Sequence, residues 1–282
     1  MAEKRKFYGM RNDYMFHAVL QKNEEVLRNL LATLLEMDEA DIVSCDIENP
    51  IELGKEIEGK ECILDVKLTL NNAKIINIEL QVYKQTYWVE RSLLYWARAF
   101  DSLKSGEDYS KLLPTYHIGI LDFTLFEEHP KFMGKYQLMD VEDQFLYSDK
   151  LCIKVLDLTQ LDAARKQSNV NKKLLKWASI FKAETLEELE QLANGEEVFE
   201  KMVVTMKKLS EDEKIRMQCE AREDYERCLL SEFNAGKREG EEIGEQRGRI
   251  AGKAEALTEL IKNLMETQHI SEEDAKKMLK IQ

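Results

Sequence analysis

Proline is nearly absent from this sequence and disappears early. The chain has 282 residues and only three prolines, Pro50, Pro114 and Pro130. Beyond Pro130 nothing of that kind interrupts a helix, and from about residue 168 the sequence is rich in Glu, Lys, Leu and Met and reads as helix to its end. Cysteine is also sparse. The five cysteines, at 45, 62, 152, 219 and 228, are odd in number, and no pair has CxxC or Cys/His zinc spacing. Reduced thiols in a cytoplasmic setting are the expectation. The four histidines, 17, 117, 129 and 269, are isolated, and each reads as a structural residue. No apolar run reaches membrane-spanning length, and the opening MAEKRKFYGM lacks the apolar core of a signal peptide. Positive charge is in deficit: 41 basic against 54 acidic side chains give a net charge of −13. A nucleic-acid partner therefore requires a local basic groove or a metal ion to offset the repulsion.

What is present divides into mixed and purely helical parts. Residues 12–37 carry Phe16, Val19, Leu20, Leu27, Leu30, Leu31, Leu34 and Leu35 at three- and four-residue spacing, which predicts one amphipathic helix with Asn12 as its N-cap. A strand around 42–48 follows. Two longer strands, 62–70 (CILDVKLTL) and 74–83 (KIINIELQVY), flank a turn at Asn71 and Asn72. Residues 87–104 return to helical periodicity, and three more strand-like runs lie at 115–126, 135–141 and 151–158. That order predicts a mixed α/β domain over 1–165, a helical region over 166–234 and a glycine-rich helical tail over 235–282.

The two central strands raise a chemical question. In 74–83, Ile76, Ile78, Leu80 and Val82 share one face, while Asn77, Glu79, Gln81 and Tyr83 share the other. In 62–70, Leu64, Val66, Leu68 and Leu70 oppose Ile63, Asp65, Lys67 and Thr69. Antiparallel pairing must bring the apolar faces together, which requires an odd-length connection such as Asn71-Asn72-Ala73. Asp65 then lies across from Glu79, or one step away across from Gln81. Two opposed acids in a half-buried patch repel unless a cation sits between them. A hard divalent ion such as Mg²⁺ suits that donor set and lowers the pKa of a bound water. Lys67 and Gln81 would orient that water or stabilise developing negative charge. A solvated sheet face with ordinary ion pairs would show the same alternation, so both readings stand at this stage.

The succession GKECILDVKLTL, IINIELQVY and YWVERSLLYWARAF resembles the PD-(D/E)XK nuclease family transposases, also called the recombination-promoting nucleases. RNDYMFHAVL and YSKLLPTYHIGILDFTLF are similar to the same family's flanking segments, so the resemblance spans roughly residues 8–160, and the tail is similar to its C-terminal region. The resemblance implies a restriction-endonuclease-like mixed β-sheet flanked by helices, followed by an all-helical region. It implies a metal-dependent DNA endonuclease acting in recombination or mobile-element activity, with Mg²⁺, or another divalent cation such as Mn²⁺ or Ca²⁺, as cofactor. Asp65 takes the place of the metal-binding aspartate and Glu79 that of the acid in the E-x-K half. Gln81 stands where the wider superfamily has lysine, which leaves the water-activating group open, and Lys67 is a substitute source of charge. Asp13 resembles a further acidic position, and Arg91 is a candidate phosphate contact or an ordinary ion-pair partner of Glu90 or of an acid on the sheet. The competing expectation is a nucleic-acid-binding or regulatory module whose catalytic face has decayed.

The tail holds a second oddity. Gly236, Gly240, Gly244, Gly248 and Gly252 recur every fourth residue. In an exposed helix each costs about 1 kcal/mol relative to alanine. Close helix packing in a homodimer and a flexible, partly helical linker are the two expectations, and the absence of sustained apolar heptads across 236–252 argues against a coiled-coil adaptor. Ser271 followed by Asp274 predicts a capped final helix.

Overall fold

The computed structural model describes residues 6–51, 53 and 65–281. Residues 62–64 of the expected first long strand lie outside this set. The expected helix over 12–37 is two helices, α1 (Asp13–Lys22) and α2 (Glu24–Leu35). Asn23 divides them. Its backbone is extended, its N–H closes α1 on the Val19 carbonyl, and its side chain accepts from Val26 N to open α2. Asparagine offers the backbone such local bonds, and that outweighs the continuous apolar periodicity. Asn12 caps α1 by accepting from Met15 N.

Six strands form one sheet in the order β1-β2-β3-β4-β6-β5. They are β1 (Cys45–Ile47), β2 (Val66–Leu70), β3 (Lys74–Gln81), β4 (Thr115–Leu121), β5 (Met133–Met139) and β6 (Leu146–Asp157). β1, β2 and β3 run antiparallel to their neighbours, β3, β4 and β6 are parallel, and β5 returns antiparallel to β6. The β2–β3 connection has the expected odd length: Leu70 pairs with Lys74, and Asn71 and Asn72 both adopt positive φ, 52° and 51°. Asparagine tolerates that conformation better than most residues. The pairing of Val66 with Ile78, continued one step, sets Asp65 across from Glu79.

The sheet has an unequal pair of faces. Val66, Leu68, Leu70, Ile76, Ile78, Leu80, Ile118, Ile120 and Leu156 point into the main core with α1 and α2. That core also takes Trp177 and Phe181 of α5 (Lys172–Lys182), Leu189 of α6 (Leu186–Ala193), Phe199, Met202 and Met206 of α7 (Glu197–Glu211), and Ile215 at the start of α8 (Glu213–Gln268). The short helix α4 (Leu161–Arg165) adds Leu161 and Ala164 to the buried set. A buried bond from Trp177 Nε1 to Asn29 Oδ1, 3.0 Å, ties α5 to α2. The helices α5, α6 and α7 and the start of α8 thus complete the hydrophobic core of the sheet. The first compact unit ends at Asp224, and a second comprises Tyr225–Gln282, with α9 (Glu272–Leu279) near its end. No helix among the described residues is long and apolar enough to cross a membrane.

The opposite face carries a smaller core of Trp88, Leu121, Phe123, Ile153 and Val155 beneath α3 (Trp88–Phe100). α3 crosses from β3 to the parallel β4, as such a connection requires. Two contacts fix it. Trp96 Nε1 donates to the Thr115 carbonyl at 2.9 Å, and the Trp88 ring lies against Gly119, where a Cβ would come within 2.3 Å of its Cζ2. Glycine at 119 is therefore the seat of the first residue of α3. Gly119→Ala is expected to lower stability by about 1–3 kcal/mol, the usual cost of overpacking a close-packed site, with chemical denaturation as the measurement.

Candidate active site

β3 carries Asn77, Glu79 and Gln81 on the face beneath α3. The parallel register places His117 beside Asn77 and Gly119 beside Glu79. Glu79 and His117 are completely buried, and Asp65 and Asn77 are each 7% exposed. Asp65, just before β2, is held by its backbone: its carbonyl accepts from Asn49 Nδ2 at 2.7 Å, and Asn49 Oδ1 accepts from Lys67 N at 2.9 Å.

The polar side chains form a connected chain. Asn77 Nδ2 reaches Asp65 Oδ2 at 3.4 Å and His117 Nδ1 at 3.1 Å. With the amide so oriented, Nδ1 is the acceptor of that bond. The other ring nitrogen, Nε2, stands 3.3 Å from Glu79 Oε2 without a hydrogen bond between them. Among the described residues nothing donates to Glu79 Oε2. The other oxygen, Oε1, is crowded: Arg91 Nη2 lies 2.9 Å away and Gln81 Nε2 donates to it at 3.0 Å. Gln85 closes the ring, donating to Gln81 Oε1 at 2.8 Å and accepting from Arg91 Nη1 at 2.9 Å. Arg91 also lies 5.0 Å from the Tyr95 ring centroid, and Trp88 and Tyr95 flank His117.

Electrostatically the patch is short of positive charge. Burial, and then the charge of Glu79, push the Asp65 carboxyl well above the ordinary aspartate range; Asn77 and Arg91 oppose this only in part, and Asp13 adds to it. Asp13 itself is answered by Arg222, whose Nε donates to both carboxylate oxygens at 3.0 Å. One guanidinium, that of Arg91, thus serves two buried acids. Among the described residues no group of three or more His, Cys, Asp or Glu side chains is placed to hold a metal ion. The pair fits a hard cation nonetheless. Magnesium takes only one or two protein carboxylates, and here one carboxylate oxygen is buried without a donor while the neighbouring acid is driven towards protonation.

The sequence-derived residues divide accordingly. Asp65, Glu79, Gln81 and Arg91 come together, and Asp13 lies close enough for its charge to act on Asp65. Arg91 pairs with the sheet acid Glu79 rather than with Glu90. Lys67 pairs across the hairpin with Asn77, but its ammonium turns to Glu48 Oε2 at 2.8 Å on the edge of the sheet, so the cation at Glu79 is that of Arg91. Two residues enter that local patterns did not single out. Asn77 reads in the sequence only as a member of the polar face, and His117 as one more isolated histidine. A polar residue of β3 facing a histidine of the next strand becomes visible only once the parallel register is known.

A mixed sheet with its acids gathered on the outer face of a central hairpin, under one crossing helix, is of the nuclease-fold class. The family model described as PD-(D/E)XK nuclease family transposase matches residues 10–234, and the chain belongs to that family. No curated protein and no solved structure matches it.

The raised Asp65 pKa gives a signed prediction. In the folded protein Asp65 holds its proton to higher pH than in the unfolded chain, so its contribution to stability falls as pH rises from the ordinary aspartate range to the folded value. Asp65→Asn should therefore be more stable than the parent at pH 7, with the advantage vanishing near pH 3. Denaturant titrations across that range measure it, in metal-free buffer.

Proposed function

We propose that the protein is a metal-dependent DNA endonuclease whose phosphodiester-hydrolysing centre is built on Asp65 and Glu79. The observation that carries the proposal is the buried, under-neutralised acid pair: an orphaned Glu79 oxygen beside an aspartate driven towards protonation. Family membership supports the same reading. Asp65 and Glu79 would hold Mg²⁺, with Mn²⁺ or Ca²⁺ as alternatives. When bound, such an ion polarises a phosphoryl oxygen and lowers the pKa of a bound water.

The chain's own residues have separate tasks. Hydrolysis requires a water to lose a proton and attack phosphorus, while the P–O bond to the leaving oxygen breaks and that oxygen takes up a proton. Gln81 occupies the lysine position, and a neutral amide neither takes nor gives a proton at neutral pH. Its role is orientation, through the fixed Gln85–Gln81–Glu79 run. Arg91, the nearest cation to the acids, is freed for a phosphate once another cation neutralises Glu79. Asn77 positions the Asp65 carboxylate, and His117 fixes Asn77 in turn. Asp13 is a supporting acid whose charge adds to the demand for a cation. Recombination or mobile-element activity is the biological setting that the family description suggests.

One observation favours a second reading, an inactive nuclease-fold module that binds DNA or regulates. Arg91 already neutralises one Glu79 oxygen, as it would in a site that no longer recruits a metal. Two measurements separate these. Supercoiled plasmid should be nicked with Mg²⁺ or Mn²⁺, and Asp65→Ala and Glu79→Ala should each lose about a hundredfold or more of that activity, the scale of a lost transition-state electrostatic contact. The melting temperature of the parent should rise with Mn²⁺, and those of the two variants should not. Nicking that persists in both variants removes the pair from the mechanism; no nicking and no thermal shift in the parent favours the inactive module.

A further inference from the structure

The second compact unit presents an exposed surface along α8. α8 runs as a continuous helix through all five glycines, and a Cβ built at any of them would meet nothing within 4 Å. Among the described residues nothing packs against these glycines to offset their cost to the helix. A helix turns about 100° per residue, so glycines four apart drift by about 40° at each step and do not form one straight stripe. Gly236 belongs instead to a different seam, one repeating every seventh residue: Leu229, Gly236, Ile243, Ile250, Leu257 and Leu264. The glycines hide this repeat from a count of apolar heptads. Leu229, Ile243, Ile250 and Leu257 are exposed by 46%, 44%, 69% and 38%. A seven-residue repeat is the pattern of helices that pack along their length.

The charges specify the partner. Glu239, Glu241, Glu242 and Glu245 form an acidic block, followed at once by Arg247, Arg249 and Lys253 as a basic block. Outside these, Lys237 and Arg238 precede the acidic block and Glu255 and Glu259 follow the basic one. This pattern inverts its sign about residue 246. Of these charges, Glu239, Glu242, Arg249 and Lys253 flank the seam, whereas Glu241 and Glu245 lie on the far side of the helix. A second copy laid parallel and in register sets acid on acid there; a copy laid antiparallel, crossing near residue 246, brings Glu239 beside Lys253 and Glu242 beside Arg249. The same crossing places Leu257 of one chain beside Gly236 of the other, Ile243 beside Ile250, and Leu229 beside Leu264. The charge inversion and the size complementarity thus share one centre.

We propose that residues 229–264 are a homodimerisation surface on which a second copy of this chain binds antiparallel, with its centre near Gln246. Glycine at 236 then makes room for the partner's Leu257, and the isoleucines form the middle of a self-complementary, closed two-fold contact.

The test uses the full chain with Cys228→Ser as background, because that exposed thiol would confuse cross-linking. Chains carrying Gly236→Cys and Leu257→Cys are oxidised separately and as an equimolar mixture. The mixture is expected to give a covalent dimer that neither chain gives alone. Self-linking of Leu257→Cys signifies a parallel pair and overturns the proposal. So does a monomeric mass for the parent by sedimentation at about 50 μM. Ile243→Glu with Ile250→Glu should weaken dimerisation by more than about a hundredfold, since each buried isoleucine is worth more than a tenfold factor. Circular dichroism should show unchanged helix, and a double variant as dimeric as its parent also overturns the proposal.

Discussion

Two carboxylates buried on one sheet face, with one guanidinium between them and solvent, are the constraint around which the outer half of this protein is arranged. Glu79 is completely buried and Asp65 nearly so. Burial of an unpaired charge is expensive, and the protein meets that cost with Arg91, Asn77 and Gln81 rather than by removing an acid. Each helper depends on another element. Arg91 is placed by α3, α3 is seated by Trp88 on Gly119, and Asn77 is backed by His117 from β4. A charge shortage at two residues thereby reaches into a helix, a crossing connection and a parallel strand. Stability alone would be better served by Asn or Gln in place of one acid, so retention of both points to use.

The polar face was legible in sequence because strands alternate. Parity sorted Asp65, Asn77, Glu79 and Gln81 onto one side, and the odd connection fixed the register of the hairpin. Local capping chemistry was equally readable at Asn12 and at Ser271, which accepts from Asp274 N. Asn23 shows the limit of periodicity: the apolar spacing continues across it, while its side chain bonds end one helix and begin the next. Lys67 shows the limit of parity, which gives the side of a sheet but not the direction of a long flexible side chain. The competing carboxylate of Glu48 comes from beside β1, and nothing in the hairpin sequence announces it. His117 lay beyond local reading for a similar reason, since its neighbours come from parallel pairing across an intervening helix. The helices after 168 read as a separate region, yet Trp177, Phe199 and Met206 fill the same core as α1 and α2.

The two compact units follow different physics. The first is organised by burial, with one large core and a small second one beneath α3. In the second, the long helix exposes Leu229, Ile243, Ile250 and Leu257 and carries its charges in blocks. An endonuclease that cuts both strands of a duplex needs two centres, and an antiparallel pairing of tails would supply two copies of the first unit per assembly. On the proposed reading, the acidic balance of the chain sharpens the requirement at the site itself: with a net charge of −13, approach of a phosphodiester would depend on cations brought to it and on Arg91.

The central claim is that the Asp65–Glu79 pair is a cation site in which Arg91 stands as the resident substitute. A crystal structure of the protein grown with Mn²⁺, with anomalous data at the manganese edge, tests it most directly. The account predicts an anomalous peak between the two carboxylates and the Arg91 guanidinium moved off Glu79 Oε1. Saturating Mn²⁺ with no peak there, and Arg91 still seated on Glu79, would contradict it.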